Sequence, residues 1–222
     1  MREGESVNEV LAELKAGIRK FRTETYPKNK ATYLQSVKEP QRPHALFITC
    51  ADSRLDPELI TQSGPGDIFV TRNIGNLVPA YGEMLGGVSA VVEYAVTGLK
   101  VQHVVICGHS DCGAMKALIR PESLTEMPAV RNWMNNAAAA MSVAKSMAKK
   151  DERPSEFVRR LTEENVLLQL QHLRTHPSVA GAMAREELTI SGWVYDIGKG
   201  EVRITEDGGR EFHPVQVGGE KA

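Results

Sequence analysis

Two short clusters of metal-binding residue types stand out in this 222-residue chain. The first is CADSR, in which Cys50 and Asp52 are two residues apart, and the second is CGHSDCG, in which His109 and Cys112 are three residues apart. Thiolate, imidazole and carboxylate are ligands that zinc accepts in a tetrahedral site. The His-x-x-Cys spacing spans one tight turn, so both side chains can face the same ion. We therefore predict a zinc site formed by Cys50, Asp52, His109 and Cys112.

Asp52 is the natural candidate for a ligand that leaves the metal, because an arginine follows it two residues later. Four protein ligands close a zinc site, and closed sites are normally structural. Arg54 offers a two-pronged guanidinium that can receive the released carboxylate and keep it ionised. Water can then enter the freed position, and Asp52 can orient the resulting zinc-bound hydroxide. Asp52 and Arg54 are thus predicted to form a catalytic dyad, with a purely structural zinc site as the alternative.

Both clusters follow short apolar runs that are typical of buried strands. ALFITC (45–50) leads into the first cluster, HVVICGH (103–109) leads into the second, and DIFVTRN (67–73) lies between them. In an open parallel sheet, ligands collect at the carboxyl ends of the strands. The two clusters are therefore expected to meet at one edge of the sheet and to form a single site.

The remaining elements indicate an α/β fold with a central, mostly parallel sheet and flanking helices. Strands that alternate with helices predict parallel pairing. Helical periodicity and turn signals predict a helix over 7–24, a helix over 86–99, a helix after the third strand, helices over 128–174 with a break near 151–154, and a hairpin over 188–204. We expect one domain over 1–222, with an N-terminal helical arm (1–40), a zinc-site core (41–125) and a C-terminal part of helices and a closing hairpin (126–222).

Composition excludes two broad classes of partner. The formal net charge is −1 and 25% of the residues are charged, which provides neither a basic stripe for nucleic acid nor a polybasic patch for a membrane surface. No run approaches the roughly 20 apolar residues of a membrane helix, and the N-terminus has no secretory signal. We therefore expect a cytoplasmic protein whose three cysteines stay reduced, with a bacterial microcompartment as the alternative location.

Other residues of metal-binding types have simpler interpretations. Cys107 is expected to be a small buried side chain at the end of a strand, and Asp111 to cap or charge the start of the following helix. His172 and His176 have i, i+4 spacing but lack a third ligand, so solvent-exposed or capping roles are expected. The lone histidines His44, His103 and His213 belong to no cluster.

Four segments together resemble the β-class carbonic anhydrases in order and spacing. They are CADSR (50–54), RNIGN (72–76), VVEYAV (91–96) and CGHSDCGAM (107–115). The resemblance implies reversible hydration of carbon dioxide to bicarbonate and a proton, with one zinc ion per subunit. It also implies that Cys50, His109 and Cys112 are the permanent ligands and that Asp52 and Arg54 are the family's dyad.

The resemblance further implies a substrate pocket and an oligomer. Gln41 matches a glutamine that positions the substrate, Phe69, Ile74 and Tyr94 match residues around a narrow carbon dioxide cleft, and Gly113 matches a glycine beside it. Family members build this cleft between subunits. A homodimer or a dimer of dimers is therefore implied, in which Gln41, Phe69 and Tyr94 serve the neighbouring subunit's metal.

One departure from the family pattern concerns the subtype. Some bacterial members have a tryptophan three residues before the first zinc cysteine, where it helps to form a non-catalytic bicarbonate pocket. This chain has Phe47 there, which lacks an indole N–H, so we expect no such pocket and a resting zinc that keeps water. Two other functions are alternatives: a related zinc hydrolase acting on a carbon dioxide analogue such as carbon disulfide, and a non-catalytic scaffold that carries zinc.

Overall fold

The computed structural model describes residues 7–82, 86–206 and 209–216. The chain divides into two compact units, Met1–Gln41 and Arg42–Ala222. The first unit is helical, as predicted: α1 (Val7–Lys20) continues through a π-helical turn (Phe21–Thr25) into α2 (Tyr26–Lys38). The apolar stripe of α1 is largely exposed, with Leu14 at 64% and Ile18 at 60%. Burial of this stripe therefore contributes little to the stability of the unit.

The second unit is built on a six-stranded mixed sheet with the order β2-β1-β3-β4-β5-β6. The strands are β1 (Ala45–Cys50), β2 (Ile68–Asn73), β3 (His103–His109), β4 (Thr189–Asp196), β5 (Glu201–Glu206) and β6 (His213–Pro214). The first four are parallel, and β5 and β6 are antiparallel to their neighbours. The predicted α/β class, the three predicted strands and the closing hairpin are confirmed, whereas β6 was not predicted.

Seven helices of this unit lie within the described residues. They are α3 (Pro57–Thr61), α4 (Gly87–Glu93), α5 (Gly113–Ile119), α6 (Pro128–Trp133), α7 (Ala138–Ser146), α8 (Pro154–Arg174) and α9 (Pro177–Ala184). A π-helical turn over Tyr94–Gly98 extends α4, as the predicted helix over 86–99 requires. The predicted break near 151–154 is also present, because Pro154 occupies the first turn of α8 and the Arg153–Glu156 pair caps it. None of the described helices combines the length and apolar character needed to cross a bilayer.

The main core joins one face of the sheet to α8. Leu46 and Ile106 from the strands are fully buried in the same cluster as Val166 and Leu173 from the helix. These strands carry consecutive buried residues, which is the pattern expected of a central parallel strand. Burial of such side chains is the main favourable term in folding and holds the strand ends in place.

Two glycines let α8 approach β3 and β4 closely. A Cβ atom at Gly108 would lie 2.9 Å from Val166 Cγ2, and one at Gly192 would lie 2.6 Å from Val166 Cγ1. These separations are too short for carbon atoms in contact, so this packing requires glycine at both positions. As a result α8 lies against the sheet beside the carboxyl end of β3, where His109 is found.

Candidate metal centre

The carboxyl ends of β1 and β3 bring the predicted ligands together. The two strands are parallel neighbours, and they end at Cys50 and His109. Cys112 lies one tight turn later, at the N-cap position of α5. The ligand atoms of the three residues are all within 4.8 Å of one another, and all three residues are buried. They are close enough to bind one ion.

The imidazole of His109 presents an unpaired nitrogen to this cluster. Its Nδ1 lies 2.8 Å from the carbonyl oxygen of Ser110, which can only accept, so Nδ1 carries the proton. In the neutral ring the free lone pair is then on Nε2, and Nε2 is buried without a hydrogen-bond partner among the described residues. A buried acceptor in that state costs free energy unless something binds it. Metal-binding histidines are usually oriented in this way, by a hydrogen bond from the ring nitrogen that does not bind the metal.

The two thiols of the cluster shift each other's pKa in opposite directions. The neighbouring thiol of Cys112, with smaller contributions from polar groups of His109 and the Gly75 backbone, lowers the pKa of Cys50 to about 4. The Cys50 thiolate raises the pKa of Cys112, because deprotonation would place two negative sulfurs side by side. A divalent cation would remove this penalty, since both sulfurs could then ionise against it.

These features fit zinc. Two sulfurs and one imidazole nitrogen form a soft donor set, which favours zinc over magnesium or calcium. The unpaired Nε2 of His109 faces the same point as the sulfurs. Catalytic zinc sites typically have three protein ligands and one further position for water or substrate.

Asp52 lies beside the cluster with its carboxylate held by Arg54. Arg54 Nε donates to Oδ1 at 2.9 Å and Nη2 donates to Oδ2 at 2.8 Å, while the backbone N–H of Arg54 adds a third bond at 3.0 Å. These contacts hold the pKa of Asp52 well below its usual range. Asp52 Oδ2 is 3.8 Å from His109 Nε2. An ionised carboxylate therefore borders the place where the ligand atoms converge.

Arg54 is itself anchored by a second carboxylate, Asp111. Arg54 Nη1 donates to Asp111 Oδ2 at 3.1 Å, and Lys116 forms an ion pair with the other oxygen of Asp111. Asp111 was expected to cap or charge the start of α5; the capping alternative is wrong, since the N-cap residue is Cys112 and no side chain caps this helix, whereas its carboxylate does lie just before the helix. Asp111 adopts a left-handed conformation (φ 60°), which turns its carboxylate toward Arg54 instead. An acidic residue between two predicted ligands was the available signal for this role.

Arg72 is a further residue that the sequence patterns did not single out individually. Its Nε donates to the carbonyl of Cys50 at 3.2 Å, and its Nη2 donates to the carbonyl of Asp52 at 2.6 Å. Arg72 comes from β2, which pairs with β1 so that Thr49 lies opposite it. This guanidinium holds the backbone between Cys50 and Asp52, the first predicted ligand and the first residue of the predicted dyad. The segment RNIGN contained the signal for it.

The residues predicted for the substrate pocket are placed as follows. Phe69 and Tyr94 contact each other, with ring centroids 6.0 Å apart. Tyr94 also lines a cavity of about 690 Å³ together with Tyr81, Ser89, Ala90 and Glu93. Ile74 is exposed and precedes Gly75, and Gly113 follows Cys112 with open space around it. Gln41 is the last residue of the first unit, and it is exposed.

Three residues of metal-binding types outside the site have structural roles. Cys107 is fully buried, which confirms its expected role, and burial raises the pKa of its thiol to about 12. His172 and His176 donate to the carbonyls of Val78 and Pro79. The expectation of solvent-exposed or capping roles for these two histidines is wrong, because a chain segment distant in sequence packs against them.

Comparisons with known proteins agree with this site. A sequence model described as carbonic anhydrase matches residues 45–202, which include both clusters. A carbonic anhydrase of Pseudomonas aeruginosa is 46% identical over 213 residues, covering 92% of this chain and 94% of that relative.

Solved structures give the same result for the fold. The β-carbonic anhydrase CcaA aligns with a TM-score of 0.88 at 36% identity, covering 95% of this chain and 94% of that one. A tetrameric β-carbonic anhydrase of Sordaria macrospora aligns with a TM-score of 0.78 at 28% identity, covering 90% of this chain and 98% of that one. These matches, together with the Cys-His-Cys cluster and its adjoining Asp-Arg pair, establish that the chain belongs to the β class of the carbonic anhydrase family.

Proposed function

We propose that this chain catalyses the reversible hydration of carbon dioxide to bicarbonate and a proton, with one zinc ion per subunit. One observation carries the proposal: the unpaired Nε2 of His109 meets two thiol sulfurs beside the carboxylate of Asp52, which Arg54 keeps ionised. The name carbonic anhydrase, borne by the Pseudomonas aeruginosa relative, supports this reaction.

Cys50, His109 and Cys112 would hold the ion. Zinc, when bound, supplies Lewis acidity that activates water near neutral pH. The chain supplies an imidazole, oriented by the Ser110 carbonyl, and two sulfurs in a largely buried setting. Burial strengthens the electrostatic interactions of the site because little bulk water screens them.

Asp52 would accept a hydrogen bond from the attacking water and so orient it toward carbon dioxide. A carboxylate can do this only while it is ionised, and the bidentate contact with Arg54 keeps it so. The same contact supports an arrangement in which Asp52 stays on Arg54 and water takes the remaining position near the ligands. We also propose that the non-catalytic bicarbonate pocket is absent, since Phe47 is buried edge-on against Trp193, with ring centroids 5.5 Å apart.

We propose that the active unit is a homodimer or a dimer of dimers with its substrate cleft between subunits. Tetrameric assembly in the Sordaria macrospora relative supports an oligomer. Tyr94 is 52% exposed and Ile74 is 41% exposed, so apolar surface is available for a neighbouring subunit and for carbon dioxide. In this assembly Gln41, Phe69 and Tyr94 serve the neighbouring metal site, while Ile74 and Gly113 border their own.

We propose a cytoplasmic location because the metal site needs two reduced thiols. All three cysteines are free in the structure. The cytosol keeps thiols reduced, whereas oxidising compartments favour disulfides.

The deciding experiment is stopped-flow carbon dioxide hydration by zinc-loaded protein from about pH 6.5 to about pH 9, a range that spans the pKa near 7 of activated zinc water. We expect turnover in the wild type. In Asp52→Asn we expect a loss of about 100-fold or more, the scale of a displaced general acid–base group, with zinc retained.

Asp151→Asn is the matched control, because Asp151 is an exposed aspartate outside the site. It should keep wild-type turnover. Wild-type activity in Asp52→Asn would contradict the assigned role of Asp52. Zinc-loaded, folded wild-type protein that hydrolyses carbon disulfide without hydrating carbon dioxide, or that turns over neither, would overturn the proposed reaction.

A further inference from the structure

Another cavity, of about 800 Å³, lies between α5, the first turns of α8 and the hairpin strands β4 and β5. It reaches the turn that carries Ser110 and Asp111. The predicted ligands Cys50, His109 and Cys112 are not among the described residues that line it. Its volume is within the range of small-molecule sites in proteins. The cavity is therefore a candidate binding site that is separate from the metal centre.

Part of the cavity wall is apolar. Val194 of β4 is 3% exposed, and Phe157 and Val158 of α8 are partly buried and pack against the core. Ile119, the last residue of α5, adds apolar surface and is 37% exposed. A ligand with an apolar body would bury it against these side chains, which is favourable.

Cationic side chains outnumber acidic ones on the same wall. The lining carries four cations and two carboxylates, namely Lys116, Arg120, Arg159 and Arg203 against Asp111 and Asp196. Lys116 is paired with Asp111, and Arg203 is paired with Glu163 at 2.7 Å. The carboxylate of Asp196 accepts two backbone N–H groups of the turn that follows it. These four groups are thus already occupied.

Arg120 and Arg159 are the two remaining cations of the lining. Within the described ranges, neither guanidinium forms an ion pair or donates a side-chain hydrogen bond. Glu156 lies close enough to Arg159 for their charges to interact, but its two oxygens accept from Arg153, at 2.7 and 3.1 Å. Both guanidiniums therefore have donors available for an anion that enters the cavity.

The start of α8 has the same polarity as these two arginines. The helix is 21 residues long, and Pro154 and Ser155 of its first turn line the cavity. A helix N-terminus carries a partial positive charge and N–H groups without intrahelical partners, and both favour anions. The helix thus adds to the positive potential of the cavity.

We propose that this cavity binds a small organic phosphate monoester, with its phosphate held by Arg120 and Arg159 and its apolar body packed against Phe157, Val158 and Val194. The planar guanidinium matches phosphate oxygens in pairs. A phosphate monoester carries about two negative charges at neutral pH, which two guanidiniums balance. The site does not use the zinc ligands, so it stands independently of the proposed hydration reaction.

The test uses phenyl phosphate as the probe, because it combines a phosphate with an apolar ring. Zinc-loaded protein with isotope-labelled Ile and Val methyl groups is titrated and followed by NMR. We expect saturable movement of the Ile119, Val158 and Val194 signals, while the signal of Ile74, which is proposed to border the metal site, stays in place. Movement of the Ile74 signal alone, or of none of these signals, would overturn the proposal.

Related probes test the two parts of the proposed ligand. Inorganic phosphate lacks the apolar ring, and phenol lacks the phosphate. Each should bind about 10-fold or more weakly than phenyl phosphate, because each loses one of the two contributions. Phenol that binds as tightly as phenyl phosphate would contradict a role for the arginines. Benzoate that binds more tightly than phenyl phosphate would contradict the choice of phosphate.

Two variants test the arginines directly. Arg120 and Arg159 are exposed, so Arg120→Gln and Arg159→Gln should fold like the wild type. We expect each variant to bind phenyl phosphate about 10-fold more weakly, since each removes charge-assisted hydrogen bonds. Arg131→Gln is the matched control, because Arg131 is an exposed arginine of α6 that does not line the cavity, and it should bind as the wild type does. Wild-type affinity in both cavity variants would overturn the proposal.

Discussion

Two buried polar regions of this molecule lie next to each other and differ in how their polar atoms are satisfied. At the metal centre, His109 Nε2 has no partner among the described residues, and the thiols of Cys50 and Cys112 shift each other's pKa in opposite directions. Along α8, the amides of Asn165 and Gln169 are paired with each other and with the segment 75–81. The unpaired region is the one suited to bind a ligand, and the paired region is the one suited to hold it in place.

The largest effect is expected from removing the unpaired nitrogen of His109, which tests whether the first region binds the metal. We expect His109→Ala to lose stoichiometric zinc on dialysis, with carbon dioxide hydration falling below detection, because two thiols alone do not complete the site. Zinc content is measured by atomic absorption. His213→Ala is the control, since His213 is an exposed histidine outside the site, and it should retain one zinc per chain. Stoichiometric zinc in His109→Ala would contradict the assigned ligand set.

A substitution in the paired region should lower the stability of the fold. Gln169→Leu leaves the Val78 N–H and the Asn136 carbonyl without their side-chain partner, which should lower the free energy of unfolding by about 1–3 kcal/mol. The measurement is denaturant unfolding of metal-free protein. Gln171→Leu is the matched control on the same helix, because Gln171 is exposed, and it should change stability by less than about 0.5 kcal/mol. Equal effects of the two substitutions would contradict the buried role of Gln169.

Arg54, which holds Asp52 beside the metal centre, should give a smaller effect that depends on pH. The folded-state pKa of Asp52 is depressed, so this ion pair stabilises the fold above the unfolded-state pKa near 3.9, and the stabilisation is lost as pH falls through the folded pKa. We expect Arg54→Gln to have a lower Tm than the wild type at neutral pH. The difference should shrink on acidification below about pH 4.

The measurement is thermal unfolding of metal-free protein across that pH range. Arg131→Gln serves as a control because Arg131 is an exposed arginine outside the site. A Tm difference for Arg54→Gln that does not narrow in acid would contradict the assignment of the stabilisation to the ionised carboxylates of Asp52 and Asp111.

Much of the site could be predicted because its signals are local. The strand bounds 45–50 and 103–109 agree with the structure, since continuous apolar runs ending in polar residues are characteristic of buried parallel strands. The carboxyl ends of parallel strands lie at one edge of a sheet, and this rule predicted that Cys50, His109 and Cys112 would lie close together. The structure places them so. The contact between Asp52 and Arg54 also formed as expected, because two residues of spacing suffice for it.

The supporting contacts could not be predicted in the same way. Asn165 and Gly75 are 90 residues apart, Gln169 and Val78 are 91 apart, and His172 and Val78 are 94 apart, and no periodicity relates them. The helical stretch 128–174 showed only the 3.6-residue repeat. That repeat identifies a buried face but not the partner of each polar side chain on it.

The residue pattern was enough to predict the α/β class and the residues proposed as ligands and as the dyad, because these predictions depend on residue type, short spacing and strand period. Four contacts became visible only in the folded chain. Asp111 binds Arg54 rather than capping α5, and Arg72 donates to the Cys50 carbonyl. Trp133 and Asn165 donate to the carbonyls of Ile74 and Gly75. The physical reason is that a hydrogen bond acts over about 3 Å, so its partner is fixed only when packing brings distant segments into contact.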